Sequence, residues 1–215
     1  MRKIISLIFA FVLIAAGNAN SQQLTPAAPD YDHRVEISPL VGYMLNGDID
    51  FIQGDLTFDN KINYGLALGV ATGYGTFVEA IYTFSATTAR FRSYDPKYEN
   101  QVISTNINYI QIGGIKEFMD GQVRPFGTLG IGASGFVPQE SGYDSWWSFA
   151  MNFGLGVKIN LSEKIGIRLQ GRMLFPLYYG GAGIYCGSGG CGGGVSASST
   201  MIQGDFMGGL VIGIN

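Results

Sequence analysis

The stretch Trp147-Ser148-Phe149-Ala150-Met151-Asn152-Phe153-Gly154-Leu155-Gly156-Val157-Lys158-Ile159-Asn160-Leu161 alternates from end to end. Its odd positions are all apolar, and its even positions (Ser148, Ala150, Asn152, Gly154, Gly156, Lys158, Asn160) are all small or polar. Successive side chains of a strand point to opposite faces, so one face of this segment is apolar and the other small and polar. Strands of soluble sheets usually run to about five or six residues, and their outer faces carry long charged side chains rather than Gly, Ala and Ser. A longer strand with these two faces fits a transmembrane barrel, with lipid on one side and a narrow lumen on the other.

The same pattern repeats on either side of this segment. Strands are expected at about 34–44, 61–72, 76–90, 105–118, 123–136, 147–161, 165–179 and 201–214. In the second, Ile62, Tyr64, Leu66, Leu68 and Val70 oppose Asn63, Gly65, Ala67, Gly69 and Ala71. In the fourth the parity slips at Gly113-Gly114, which reads as a β-bulge and leaves the faces beyond it, including that of Lys116, unassigned. Long loops (45–60, 91–102, 137–145, 180–199) follow strands one, three, five and seven, and short turns follow strands two, four and six. An even strand count then puts both termini on the side of the short turns, as in outer-membrane barrels. Pattern and topology agree on an all-β, eight-stranded antiparallel up-and-down transmembrane β-barrel.

Composition supports the same class. Met1-Arg2-Lys3, the apolar run Ile4 to Ala16 and the small residues around Gly17 and Ala19 form a cleavable signal peptide over 1–19, with Ser21 as an alternative end. Residues 20–33 then form a mobile lead and 34–215 the barrel, about 195 residues of exported chain and one domain. Losing Arg2 and Lys3 takes the net charge from −3 to −5, and an acidic chain without a basic tract offers nucleic acid no partner. Charged residues make up 13% of the chain and glycine 33 of its 215 residues, a low and a high share for a soluble domain. After the signal no apolar run reaches membrane-helix length, so entry into a bilayer must be by strands.

An eight-stranded barrel has an interior that side chains can fill. On the parity above, Glu36, Glu79 and Asp205 face inward against Arg124, Lys158, Arg168 and Arg172. They are expected to form a lumen ion-pair network, with the two strand-seven arginines reaching over the glycines and alanines of strands two, five and six. Cys186 and Cys191, the only cysteines, are candidates for a disulfide in an exported protein. Two thiolates fall short of a structural zinc site, so neither metal nor other cofactor is expected. Tyr43, Tyr64, Trp146, Trp147, Phe175 and Tyr179 sit near strand ends on the loop side and read as an interfacial aromatic girdle. The single histidine, His33, precedes the first strand on the opposite side. A Ser-His-acid arrangement on the loop rim thus has no base, and Asp48, Asp50, Asp55 and Asp59 are the carboxylates left for hydrolysis.

The segments Val35-Glu36-Ile37-Ser38-Pro39-Leu40-Val41-Gly42-Tyr43, Phe58-Asp59-Asn60 through Tyr64-Gly65-Leu66-Ala67-Leu68-Gly69 to Ala71, Val78-Glu79 and Arg124-Pro125-Phe126-Gly127 resemble the small outer-membrane β-barrels of Gram-negative bacteria. The resemblance is to the OmpA-transmembrane/OmpX/OmpW-like superfamily and covers the whole exported chain. The chain departs from it by ending Gly213-Ile214-Asn215, where such barrels commonly carry a terminal aromatic. The resemblance implies the fold and an outer-membrane location, and leaves the activity open; a monomer in contact with outer-membrane lipid is expected. A plugged lumen with a structural or surface-interaction role is the leading expectation, any partner meeting loops 45–60 and 180–199. An OmpW-like passage for solutes or apolar molecules is the alternative, and a lipid-modifying enzyme the third.

Overall fold

A computed structural model of the protein describes residues 35–51, 54–94, 100–140, 142–187, 190–198 and 201–214. The expected signal peptide, the lead and His33 lie outside the described residues. Eleven strands occur among them: β1 (Val35–Leu45), β2 (Asp48–Phe51), β3 (Gly54–Phe58), β4 (Lys61–Gly73), β5 (Thr76–Ser93), β6 (Gln101–Glu117), β7 (Val123–Pro138), β8 (Trp146–Asn160), β9 (Ile165–Gly187), β10 (Gly190–Ser198) and β11 (Gln203–Ile214). Eight of them form a closed antiparallel ring in the order β1-β4-β5-β6-β7-β8-β9-β11, with β11 pairing back onto β1 through Val35↔Ile214 to Leu45↔Gly204. The short connections and the ends at Val35 and Ile214 share one end of the ring, called here the terminal end. At the β4–β5 turn Gly73, Tyr74 and Gly75 all have positive φ (107°, 53° and 65°), a conformation cheap for glycine and the reason two glycines flank the exposed tyrosine.

Closure explains the alternation. Leu66, Ile112, Leu129, Leu155, Leu169 and Leu210 are each about half exposed or more on the outer wall. Glu36, Ser38, Asn63, Glu79, Thr83, Asn152 and Lys158 are buried inside. So large an apolar exterior is unsuited to water and suited to lipid.

The β-bulge expected at Gly113-Gly114 is absent. β6 pairs with β5 from Thr76↔Lys116 to Phe91↔Gln101, and with β7 from Thr105↔Pro138 to Glu117↔Phe126, each in unbroken register. The apparent slip arises because Ile107 and Tyr109 face inward while Ile110 and Ile112 face outward: the lumen itself is apolar toward the loop end. Unbroken parity places Glu117 inside and Lys116 outside, where its ammonium donates to Thr76 Oγ1 and Tyr74 O. The glycines nearby instead permit close approach of the neighbouring backbone. A Cβ at Gly113 would lie 2.2 Å from Leu129 O, and one at Gly132 2.0 Å from Ile110 O. Both obstacles are backbone, which cannot move without shifting a strand. Gly132→Ala is therefore expected to cost about 1–3 kcal/mol by overpacking, read as a lower urea midpoint of the folded barrel.

The chain does carry a bulge elsewhere. Along β5 the partner strand runs from Asn63↔Ser85 to Phe58↔Ala89, five steps against four. The extra residue falls at Asp59-Asn60 and re-aims the side chain before it, turning Phe58 inward. Two of the expected loops are also largely strand. Segment 45–60 contains the β2–β3 hairpin, which extends the wall by pairing with β5, and segment 180–199 continues β9 and returns as β10.

Candidate functional site in the lumen

The interior is layered along its axis. Nearest the terminal end lies a charged layer centred on Lys158 of β8, whose ammonium is 2.6 Å from Glu36 Oε2 of β1 and 2.8 Å from Glu117 Oε1 of β6. It also sits 4.0 Å from the centroid of the Phe77 ring, a cation–π contact. Arg124 of β7 reaches the other oxygen of Glu117 at 3.2 Å. Arg168 of β9 crosses the lumen to Glu79 of β5 in a bidentate pair, with Nη2 at 3.0 Å from Oε1 and Nη1 on Oε2, and its guanidinium stacks over Phe126. Its Nε donates to Gln170 Oε1 at 2.9 Å.

The middle layer holds Arg172 and Asp205, directly opposite each other on β9 and β11. Arg172 Nε donates to Asp205 Oδ1 at 3.0 Å and Nη2 to Oδ2, and Nη2 reaches Thr83 Oγ1 across the barrel at 3.0 Å. The arginine stem fits against Gly154, where a Cβ would stand 2.8 Å from Arg172 Cγ. Leu40, Ala67, Ile81 and Met207 fill the remaining width.

The layer toward the loop end is apolar: Met44, Phe58, Ala89, Ile107, Tyr109, Phe136, Ala150, Leu174 and Met201 form one buried cluster. Phe58 stands 5.5 Å from Phe136 by ring centroids, and Phe136 stacks on Trp146 at 5.4 Å. Phe58, brought in by the β2–β3 hairpin, caps this cluster in the manner of a cork, and polar contacts hold it in place. Asn46 Nδ2 donates to Asp59 O at 2.8 Å, Asn46 N to Asn60 Oδ1 at 2.7 Å, and Thr87 Oγ1 to Asp59 O. Arg90 grips the Asp59 carboxylate through Nε and Nη2 at 3.0 and 2.9 Å. Below, Tyr109 Oη donates to Gln203 and Gln203 Nε2 to Asn46.

Of the residues expected in the network, Glu36, Glu79, Arg124, Lys158, Arg168, Arg172 and Asp205 all face inward and form these pairs. Glu117 completes the set, giving four carboxylates against four cations. It escaped the sequence reading because of the supposed bulge; counting two residues at a time from Gln111 would have found it. Of the expected girdle, Tyr43, Tyr64, Trp147 and Phe175 lie on the outer wall, where Phe175 stacks on Phe153. Trp146 does not join them. Adjacent strand residues take opposite faces, so with Trp147 outside Trp146 points in and packs on the cork. The side chain of Tyr179 lies outside the described residues, as do those of Cys186 and Cys191, whose backbones are direct partners in the β9–β10 hairpin. Among the described residues no His, Cys, Asp and Glu side chains are grouped to hold a metal. Asp48 and Asp50 fall on β2, Asp55 on β3 and Asp59 just after it.

The Arg90 hydrogen bonds, helped by the charges of Arg90 and Lys61, hold the Asp59 carboxyl below its usual 3.8 against the opposing effect of burial. A folded-state pKa below the unfolded one adds stability that is complete above the usual value and lost as pH falls through the folded one. The hairpin is therefore expected to loosen only in acid, with pepsin cleavage within 46–60 rising as the pH drops below 3.8. Arg90→Gln removes the pair at every pH, so cleavage in the variant should already be raised at about pH 5 and change less on further acidification; the same pH dependence as the parent would show that Asp59 does not hold the hairpin.

No protein-family model matches the chain, and no curated protein matches it. Solved structures do. The outer membrane protein OprG from Pseudomonas aeruginosa superposes with a TM-score of 0.58 at 13% identity, over 86% of this chain and 99% of that one. Neisserial surface protein A superposes with a TM-score of 0.55 at 11% identity, over 84% and 97%. The fold of this chain is that of the small outer-membrane β-barrels.

Proposed function

We propose that this protein resides in the outer membrane as a monomeric barrel with a sealed lumen, and that it acts through the surface it raises at the loop end. The observation that carries this reading is the filling of the interior in series: eight charged side chains paired among themselves through the lower and middle layers, and nine buried, mostly apolar residues, Phe58 among them, above. Filling of this kind among the described residues supports a lumen closed to ions. The terminal end then faces the periplasm and the strand extensions β2–β3 and β9–β10 face outward, where a surface partner would meet them. Antiparallel partners lie about 4.5–5.5 Å apart at Cα, within the span of a disulfide, and we assign one to Cys186–Cys191 to close the outer hairpin. Mass spectrometry without reductant should find no free thiol. The function is tested by single-channel recording of the refolded protein in planar bilayers, folding being established first by its heat-dependent gel shift. Silence is expected; reproducible conductance steps would replace this reading with that of a passage for small solutes.

A further inference from the structure

The lumen wall contains a recess that the closed-plug reading does not use. Glu79, Gly113, Gly130 and Asn152 form one cross-strand row over β5, β6, β7 and β8. With two glycines in the middle of that row, the floor of the recess is bare backbone. A cavity of about 10 Å³ lies there, lined by Glu79, Ile81, Gln111, Thr128, Asn152 and Arg172 among others. Five buried side-chain polar atoms among the described residues have no hydrogen-bond partner, and three belong to this lining: Gln111 Nε2, Gln111 Oε1 and Arg172 Nη1. Gln111 is 3% exposed and Arg172 4%, so neither turns these atoms to bulk solvent.

Buried donors and acceptors left unpaired are expensive, and native interiors satisfy them. We propose that one water molecule is bound in this recess, accepting from Arg172 Nη1 and Gln111 Nε2 and donating to Gln111 Oε1. The size fits, since about 10–15 Å³ accommodates a single water, which needs two to four polar partners. The charge fits as well. Both Glu79 oxygens are taken by Arg168, and Arg172 is already matched by Asp205. The recess is thus neutral overall, offers donors and an acceptor together, and favours neither anion nor cation. This water ties β6 to β9 on the wall opposite Asp205 and gives Arg172 its remaining partner, making a wet point between the charged layer and the apolar cork.

Solid-state NMR of the full exported chain in lipid bilayers tests it directly. Polarisation from water is expected to reach the Gln111 side-chain amide and the Arg172 guanidinium; no transfer to either would overturn the proposal. Gln111→Leu supplies the independent arm. If the recess holds water, the variant loses two hydrogen bonds and leaves Arg172 Nη1 unmet, so its heat-dependent gel shift should move several degrees down. If the recess is dry, the same change removes two unpaired polar atoms and the shift should stay or move up, which would refute the bound water. Crystals grown in bromide give a third outcome: halide density at Arg172 Nη1 would replace the water with an anion.

Discussion

Lys158→Ala is expected to lose about 3–5 kcal/mol of stability, the cost of leaving buried charge without its counter-charge. Lys158 is the shared partner of Glu36 and Glu117, and it is 1% exposed. Its removal leaves one carboxylate of β1 with no cation and the other held only by Arg124 from the flank. The decisive comparison is with Lys158→Met combined with Glu36→Gln and Glu117→Gln. Because much of the single-variant loss is desolvated charge rather than lost attraction, removing the charges together should recover most of it. The heat at which the folded band disappears on unboiled gels, and the urea midpoint, read both variants. A single variant as stable as the parent would mean that the two carboxylates reach solvent, and that the lower layer is not a seal.

The strands were legible in the sequence for a simple physical reason. Lipid outside demands Leu66, Leu68, Leu155 and Val157, while a narrow interior demands Gly65, Ala67, Gly154 and Gly156, and the pleat keeps the two sets apart. The inward charges of β5, β8, β9 and β11 followed from the same parity. The reading weakened where the lumen itself turns apolar. Ile107 and Tyr109 inside, next to Ile110 and Ile112 outside, mimic a slip of register, and that hid Glu117. The bulge at Asp59-Asn60 left no mark in hydropathy because it is defined by pairing with β5, so Phe58 could not be foreseen as a cork. The hairpin strands β2, β3 and β10 were hidden for a related reason. Their Asp-rich and Gly-rich segments have the composition of loops, and what makes them strands is the neighbouring edge they extend.

In the proposed sealed lumen the charged layer and the apolar cluster stand in series, and the last expectation follows from that arrangement. Phe58→Ala removes the cork's ring and, as a large-to-small change in a packed cluster, should cost about 3–5 kcal/mol at most, less where the hairpin collapses into the gap. It should leave the bilayer silent, because Arg168 and Glu79 still span the lumen below. Arg168→Ala alone breaks that bridge, yet the apolar cluster around Phe136 and Leu174 still excludes ions, for which an apolar constriction is a barrier. Only Phe58→Ala together with Arg168→Ala is expected to give conductance steps, and those steps should favour anions or cations according to whether Lys158 or the freed Glu79 dominates the opened base. With Arg168 gone and Lys158 still engaged by two carboxylates, Glu79 is the uncompensated charge, so cations should pass more readily. Steps from Phe58→Ala alone would show that the cork is the whole seal and that the charged layer serves stability. Silence from the double variant, with its folded band intact, would place a further barrier in the Arg172–Asp205 layer between them.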